Sequence, residues 1–386
     1  MKKIYLDNAA TTRLDNLVIK YINDINTNYY GNPSSLHNIG LDSEKIIKKS
    51  RNIIANALNV LDKEIIFTSG GTESNNLAIK GYVKAHLKDG NHIITSQIEH
   101  PSVIEVYKQL SKEGFEIDIV DVDDNGYIDL SDLSKKINKN TILISIILVN
   151  NEIGTIQNMK EIIEIKNKVN SKIGIHFDAI QAFGKIDLYP KKYGVDLLSI
   201  SAHKIKGPKG IGALYVKNGI LIKPLLLGGG QEHKLRSGTE NVAFIGGFAL
   251  ATEIAMAKKS KNYIYINSLK EYFINKIKKL QFDINIISCR EAIPYIVSVG
   301  FSNIKAEVLL HHLEMYNIFV STGSACSSKN NKKSHVIKAI KVNKKYSDGI
   351  IRFSFSEDNT FDDINYTIDK INEIIPKISI KRGVRH

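Results

Sequence analysis

From about residue 43 the chain alternates between two hydrophobic rhythms. Apolar residues recur every three or four positions in "SEKIIKKSRNIIANAL", "NLAIKGYVKAHL" and "SVIEVYKQLSKEG", the spacing of one buried helix face. Between them "EIIFT", "HIITS" and "EIDIVDV" are short runs rich in β-branched residues, which predict strands. Further strand-like runs follow at "TILISIILV", "GIHFDA", "VDLLSIS" and "GALYV". Strands joined by helix-length crossovers predict an α/β fold, a mostly parallel sheet sandwiched by helices. After the glycine-rich "LLLGGGQEHKLRSGTEN" a long helical pattern begins near Val242. Shorter elements come next: strands "YIVSVGF", "IFVST" and "IIRFSFS", and helices "KAEVLLHHLEMY" and "FDDINYTIDKINEII". The expectation is a large domain over residues 15–255, with residues 1–14 and 256–386 forming a smaller α+β domain.

Composition narrows the function classes. The 386 residues are 43% hydrophobic, as in a globular protein, and carry a net charge of +13. That charge raises nucleic acid or an anionic membrane as partners. The lysines, however, are scattered beside acidic residues on helix faces ("EKIIKKSRN", "KEIIEIKNKVN", "NKIKKLQ") with no interleaved aromatic residues. A solvated surface is the better reading, with no direct nucleic acid and no membrane as partners. The start, "MKKIYLDNAATT", lacks the apolar core of a secretory signal, and the longest apolar run, Ile142 to Val149, is far short of the ~20 residues that span a bilayer. A cytoplasmic protein is expected. Two cysteines, Cys289 and Cys326, exclude a disulfide framework and a cysteine-rich zinc site.

Candidate chemistry gathers at strand ends, where open α/β sheets bind ligands. After "EIIFT" comes "SGGTESNN": Gly70 and Gly71 allow close backbone approach, and Thr72 adds a hydroxyl to the free N–H groups of a helix start. An ordinary N-cap explains the same residues equally well. His100 precedes a helix after "HIITS", a position that more often only caps. Asn150 and Asn151 leave a very apolar strand and need partners. Asp178 stands in an apolar strand and should meet a cation. His176 and Asp178, completed by His203, could form a metal set, but no second His/Asp pair at helical spacing supports it, and no metal is expected. Lys204 ends the strand "VDLLSIS" and emerges beside these groups, whereas Lys206 and Lys209 lie in the turn "KGPKG". A helix start for a phosphate, a buried carboxylate for a ring nitrogen and a strand-end lysine for an aldehyde together suit pyridoxal 5'-phosphate.

The segments "YLDNAATT", "YGNPSSLH", "TSGGTESNN", "IEHPS", "NNEIGTIQ", "FDAIQAFGK", "SAHKIKGPKG", "RSGTEN" and "STGSACSS" resemble those of the cysteine desulfurases, in the class V branch of fold-type I pyridoxal phosphate enzymes. They cover the chain from Tyr5 to beyond Cys326. The resemblance implies that Lys204 attaches the cofactor and moves the substrate's α-proton, and that Asp178 pairs with the ring nitrogen. It implies His100 stacked on the ring as part of the catalytic set, with Gln181 and Asn151 around the ring oxygen and substrate. Gly71, Thr72, Ser201 and His203 would hold the phosphate, and Thr239 would reach the phosphate of a neighbouring subunit in a homodimer. Arg352, with Asn32 and Asn151, would take the substrate carboxylate.

By the same resemblance Cys326 is the nucleophile that takes sulfur from L-cysteine, releases L-alanine and passes a persulfide sulfur to an acceptor protein, an iron–sulfur scaffold or a tRNA-thiolation enzyme. Its setting, "STGSACSSKNNKKSH", is small, polar and basic, as an exposed loop of the small domain would be; Cys289 follows an apolar run and is expected as a buried structural thiol. A selenocysteine lyase or a class V aminotransferase is the alternative on the same fold. The chain departs from the family in Ser356, where glycine is usual, and in the lysine-rich stretch after Cys326.

Overall fold

The computed structural model describes residues 2–322 and 334–379. A two-residue strand, β1 (Ile4–Tyr5), is followed by seven that build the central sheet: β2 (Ile65–Thr68), β3 (His92–Ser96), β4 (Glu116–Val120), β5 (Thr141–Ile147), β6 (Gly174–Asp178), β7 (Leu197–Ser201) and β8 (Gly212–Val216). Their order is β2-β8-β7-β6-β5-β3-β4. β4, β3, β5, β6 and β7 run parallel, and β8 is antiparallel to both neighbours. The reversal at β8 follows from its link: the chain between Ser201 and Gly212 is too short for a crossover. Every residue of β5, β6, β7 and β8 is buried, so these strands are mainly apolar and hold a few buried polar residues such as Ser145, His176 and Asp178, while the edge strand β4 leaves Ile119 half exposed.

Helices cover both faces. Gly71–Ala85 and Pro101–Lys112 pack Leu77, Tyr82, Val106 and Leu110 on one side, and Asn16–Asn28, Asn38–Leu58 and the first half of the 36-residue helix Val242–Ile277 lie on the other. Asn16–Asn28 has no counterpart in the sequence reading. It buries only Val18, Ile22 and Ile25 and leaves Leu17 exposed, so its apolar period is too thin to stand out. β9 (Ile284–Ile286), β10 (Ile296–Phe301) and β12 (Ile350–Ser354) make an antiparallel sheet, and β11 (Ile318–Phe319) pairs with β1. The expected boundary near residue 255 falls inside the long helix. Its second half carries Phe273 onto Phe353 of β12, ring centroids 4.7 Å apart. No described helix is long and apolar enough to cross a membrane.

His176, in the middle of β6, is spoken for on both sides. Its Nδ1 lies 2.8 Å from Ser145 Oγ and its Nε2 2.9 Å from Ser199 Oγ, so it bridges β5, β6 and β7 instead of joining His203. Among the described residues no cluster could hold a metal ion. Burial pushes the His176 pKa from 6.5 to about 3. The unfolded chain therefore takes up a proton that the folded chain refuses, and stability falls as pH drops from about 6.5 towards about 3, by about 1.4 kcal/mol per pH unit. Unfolding measured against pH is expected to show a shallower acid slope for His176→Gln than for the natural chain; equal slopes would remove this assignment.

Candidate active site

The carboxyl ends of β5, β6 and β7 open on a cleft of about 300 Å³ bounded by Gly71, Thr72, His100, Asp178, Lys204 and Arg352. Asp178 ends β6 and is buried. Its Oδ2 accepts from Asn75 Nδ2 at 2.8 Å, and its Oδ1 from the Ile180 amide at 3.0 Å. Burial pushes its pKa up; His100, these two hydrogen bonds and Lys204 oppose the rise. No cation touches the carboxylate among the described residues, so a protonated ring nitrogen is the partner its chemistry lacks.

Lys204 follows β7 in a 3₁₀ turn, and its Nζ donates to the carbonyls of Ala9 and Ala10 at 2.6 and 2.7 Å. Burial, then Lys185 and Arg352, push its pKa down to about 7, against Asp7 and Asp178. Close to neutral pH this amine is thus available in its uncharged, nucleophilic form.

Beside Lys204 the cleft continues into a polar bay of about 350 Å³ walled by Ser69, Gly70, Gly71, Thr72, Ser201 and His203. Gly70 adopts φ +149°, which L side chains rarely adopt, and a Cβ on Gly71 would come within 2.2 Å of the Ile180 side chain. The bay thus receives the bare N-terminus of the helix Gly71–Ala85. Ser201 Oγ is buried there with no hydrogen-bond partner among the described residues. An orphaned hydroxyl beside a helix N-terminus fits a phosphate group.

His100 caps the helix Pro101–Lys112: its Nδ1 accepts from the Ser102 amide at 3.1 Å and lies 2.8 Å from Ser102 Oγ. Ser102 Oγ already accepts from Asn75, so its proton is directed to Nδ1, which leaves Nε2 to carry the ring proton. Burial pushes the His100 pKa down. His203 Nδ1 lies 3.2 Å from Thr11 Oγ1, and burial, then Lys204, push its pKa down to about 3. Both imidazoles are therefore neutral.

Arg352 in β12 closes the far side. Nη1 donates to the Asn151 carbonyl at 2.8 Å and Nη2 to Asp7 Oδ1 at 2.7 Å, while Nε is buried without a partner. Three of the five guanidinium N–H groups, the Nε–H among them, are thus left for further acceptors. Gln181 Nε2 donates to the Ala9 carbonyl at 2.8 Å.

A family-level comparison agrees with this geometry. The family Aminotransferase class-V matches residues 4–367. A protein named cysteine desulfurase IscS from Dictyoglomus turgidum is 44% identical over 378 residues, 98% of this chain and 95% of its own length. The chain belongs to the cysteine desulfurase family. A second relative, cysteine desulfurase IscS of Methanosarcina thermophila, is 41% identical over 98% of this chain and 93% of its own. Among solved structures a NifS-like protein superposes with a TM-score of 0.93 at 38% identity, over 97% of this chain and all of that one. A structure titled SspA in complex with cysteine gives 0.80 at 34% identity, over 92% and 99%. The family's cofactor is pyridoxal phosphate, and the carboxylate, amine and phosphate bay described above fit it.

Of the desulfurase residues expected from the sequence, Gly71, Thr72, His100, Asn151, Asp178, Gln181, His203, Lys204 and Arg352 line the cleft, and Ser201 lines the bay. Asn32 does not: it is exposed and its Oδ1 caps its own turn by accepting from the Ser34 amide. Thr239 is also exposed, beside Arg236, which ties its segment to Glu73 at 2.9 Å. Cys326 lies outside the described residues. Cys289 is half-buried, not buried, because it follows the edge strand β9, and its Sγ lies 3.6 Å from the Tyr127 hydroxyl. Sequence reading missed Asn75, Asp7, Glu99, Glu152 and His335. Asn75 lay within the quoted "SGGTESNN", one turn from Gly71 and on the same side; the others are ordinary polar residues until the fold assembles them.

Proposed function

We propose that the chain is a pyridoxal phosphate-dependent cysteine desulfurase, converting L-cysteine and a protein thiol into L-alanine and a protein persulfide. The observation that carries this reading is the convergence on one cleft and its adjoining bay of Lys204, Asp178 without a counter-cation among the described residues, the unpartnered Ser201 hydroxyl at a helix N-terminus, and the spare donors of Arg352. When bound, the cofactor supplies the electron sink that accepts the charge left at the substrate's Cα.

Asp178 would hold the positive charge at the ring nitrogen, and the bay at Ser201 and His203 would hold the phosphate. Neutral His100, which lines the same cleft, would pack against the ring and could offer its Nε2 proton to a neighbouring acceptor. Lys204, kept near neutrality by burial and two cations, takes the Cα proton and returns it to the product. Arg352 receives the substrate carboxylate in a planar two-point grip that Asp7 and the Asn151 carbonyl orient. The Cys326 thiolate attacks the substrate sulfur: the S–S bond forms as the Cβ–S bond breaks, and the electron pair stays with carbon, which is protonated to give alanine. The sulfur then passes from Cys326 to an acceptor protein, an iron–sulfur scaffold or a tRNA-thiolation enzyme. A free nucleophilic thiol needs a reducing compartment, which supports the cytoplasm.

Two further features belong to this reading. The division into residues 15–255 and 1–14 with 256–386 places the cofactor bay in the first part and Arg352 in the second. A homodimer would cover exposed apolar side chains such as Tyr30, Leu36 and Leu227, and would give Thr239 a neighbouring phosphate to reach.

The reaction is tested by incubating the purified protein with cysteine and a reductant: alanine and sulfide are expected in equal amounts, and neither product appearing would overturn the proposal. For Arg352→Ala we expect normal cofactor content with cysteine use weakened by roughly 2–5 kcal/mol, as for a desolvated charge pair that loses one partner. Steady-state kinetics equal to those of the natural chain would remove Arg352 from the site.

A further inference from the structure

A buried ammonium without a counter-ion is costly, and Lys185 is one. It lies just beyond Gln181, in the chain segment that follows β6, and only 7% of it is exposed. Its Nζ donates to Gln181 Oε1 at 3.1 Å and stands 5.3 Å from the centre of the Tyr295 ring. No carboxylate forms an ion pair with it among the described residues. With Lys204, Tyr295 and Glu357 it borders a small cavity of about 50 Å³ behind the active site. A cation in such a place lowers stability, so its presence calls for a compensating role.

Two physical links run from Lys185 to the cleft. The first is a hydrogen-bond chain. An ammonium can only donate, so Gln181 must turn Oε1 towards it, and the amide N–H then points the other way. That N–H donates to the Ala9 carbonyl, the same oxygen that accepts from Lys204. The second link is charge. Lys185 stands next after burial among the influences on Lys204, where Arg352 adds to it and Asp7 and Asp178 oppose it; His100 and His203 face Lys204 too and are kept neutral. At Lys185 itself, burial and Arg352 favour the neutral form and Glu357 the charged one, with the pKa near 8. At neutral pH the charge is therefore mostly present.

We propose that Lys185 is a positioning residue of the desulfurase site: it holds the Gln181 amide with its N–H towards the pocket and sets a fixed positive charge behind Lys204. It touches neither substrate nor cofactor and acts through these two residues. The inference rests on the cofactor reading above.

The test reads the bound cofactor's visible spectrum against pH in the substrate-free holoenzyme, which a merely structural residue would not move. Lys185→Met removes the charge. The protonated form at Lys204 becomes easier to reach, so the spectral midpoint is expected to rise by about one pH unit. Lys185→Gln, which can still hydrogen-bond Gln181 but carries no charge, is expected to rise similarly and serves if the methionine variant fails to fold. Lys185→Arg keeps the charge and should titrate close to the natural chain. Folded, coloured Met and Gln variants with an unshifted midpoint would overturn the role of Lys185 while leaving the cofactor reading intact. A natural chain with no visible band would overturn the cofactor reading itself.

Discussion

Lys204→Ala is expected to be colourless after incubation with pyridoxal phosphate and to turn over no measurable cysteine. Two losses combine. The covalent attachment of the cofactor disappears, and with it the visible band. The base that takes the Cα proton disappears as well, and proton transfer alone contributes roughly 10²–10⁴-fold to rate. Folding should survive, because the natural amine is itself held uncomfortably: burial and two neighbouring cations depress its pKa to about 7, and a methyl group carries no such cost. Circular dichroism would show the natural helix content, and absorbance would show the missing band. A coloured, active Lys204→Ala protein would contradict the placement of the cofactor at the end of β7.

Cys326→Ser is expected to separate cofactor chemistry from sulfur chemistry. The cleft of Lys204, Asp178 and Arg352 does not depend on the thiol, so the variant should bind the cofactor and change colour when cysteine is added. It should release no sulfide, because a serine hydroxyl near neutral pH offers no thiolate to attack sulfur. Cys289→Ser supplies the contrast. Its sulfur neighbours the Tyr127 hydroxyl away from the cleft, so turnover should stay within about twofold, the change at most a small loss of stability. Full sulfide release from Cys326→Ser would overturn its assignment as the nucleophile.

Most of the central sheet was legible in the sequence because its strands are buried on both faces. "TILISIILV" and "VDLLSIS" admit few other readings in a chain of alternating elements. Legibility failed where burial is partial, as at Asn16–Asn28, whose inward face is only Val18, Ile22 and Ile25. No break in composition marks the expected boundary near residue 255, which falls within the continuous helix Val242–Ile277.

The site divides in the same way. Lys204 and Asp178 could be read because each stands at the end of a strand, where the fold class itself puts ligands, whereas His100, a helix cap by position, entered the site through the family resemblance. Asn75, Asp7 and Lys185 could not. Asn75 matters because Asp178 lies 103 positions away, and Asp7 because Arg352 lies 345 positions away. Lys185 ended the quoted segment "FDAIQAFGK", but nothing in the sequence gave it a role. What distinguishes it is its burial and, among the described residues, the lack of an ion-pair partner for its amine, properties of the packed molecule alone.

The account's central claim is that sulfur leaves cysteine on Cys326, and peptide mass spectrometry tests it most directly. The purified holoenzyme is treated with cysteine without reductant, its thiols are blocked, and the chain is digested. One added sulfur is expected on the peptide containing Cys326, none on the peptide containing Cys289, with alanine formed in proportion to the modified chain. Alanine formed with both peptides unmodified, or the added sulfur found at Cys289, would contradict the account.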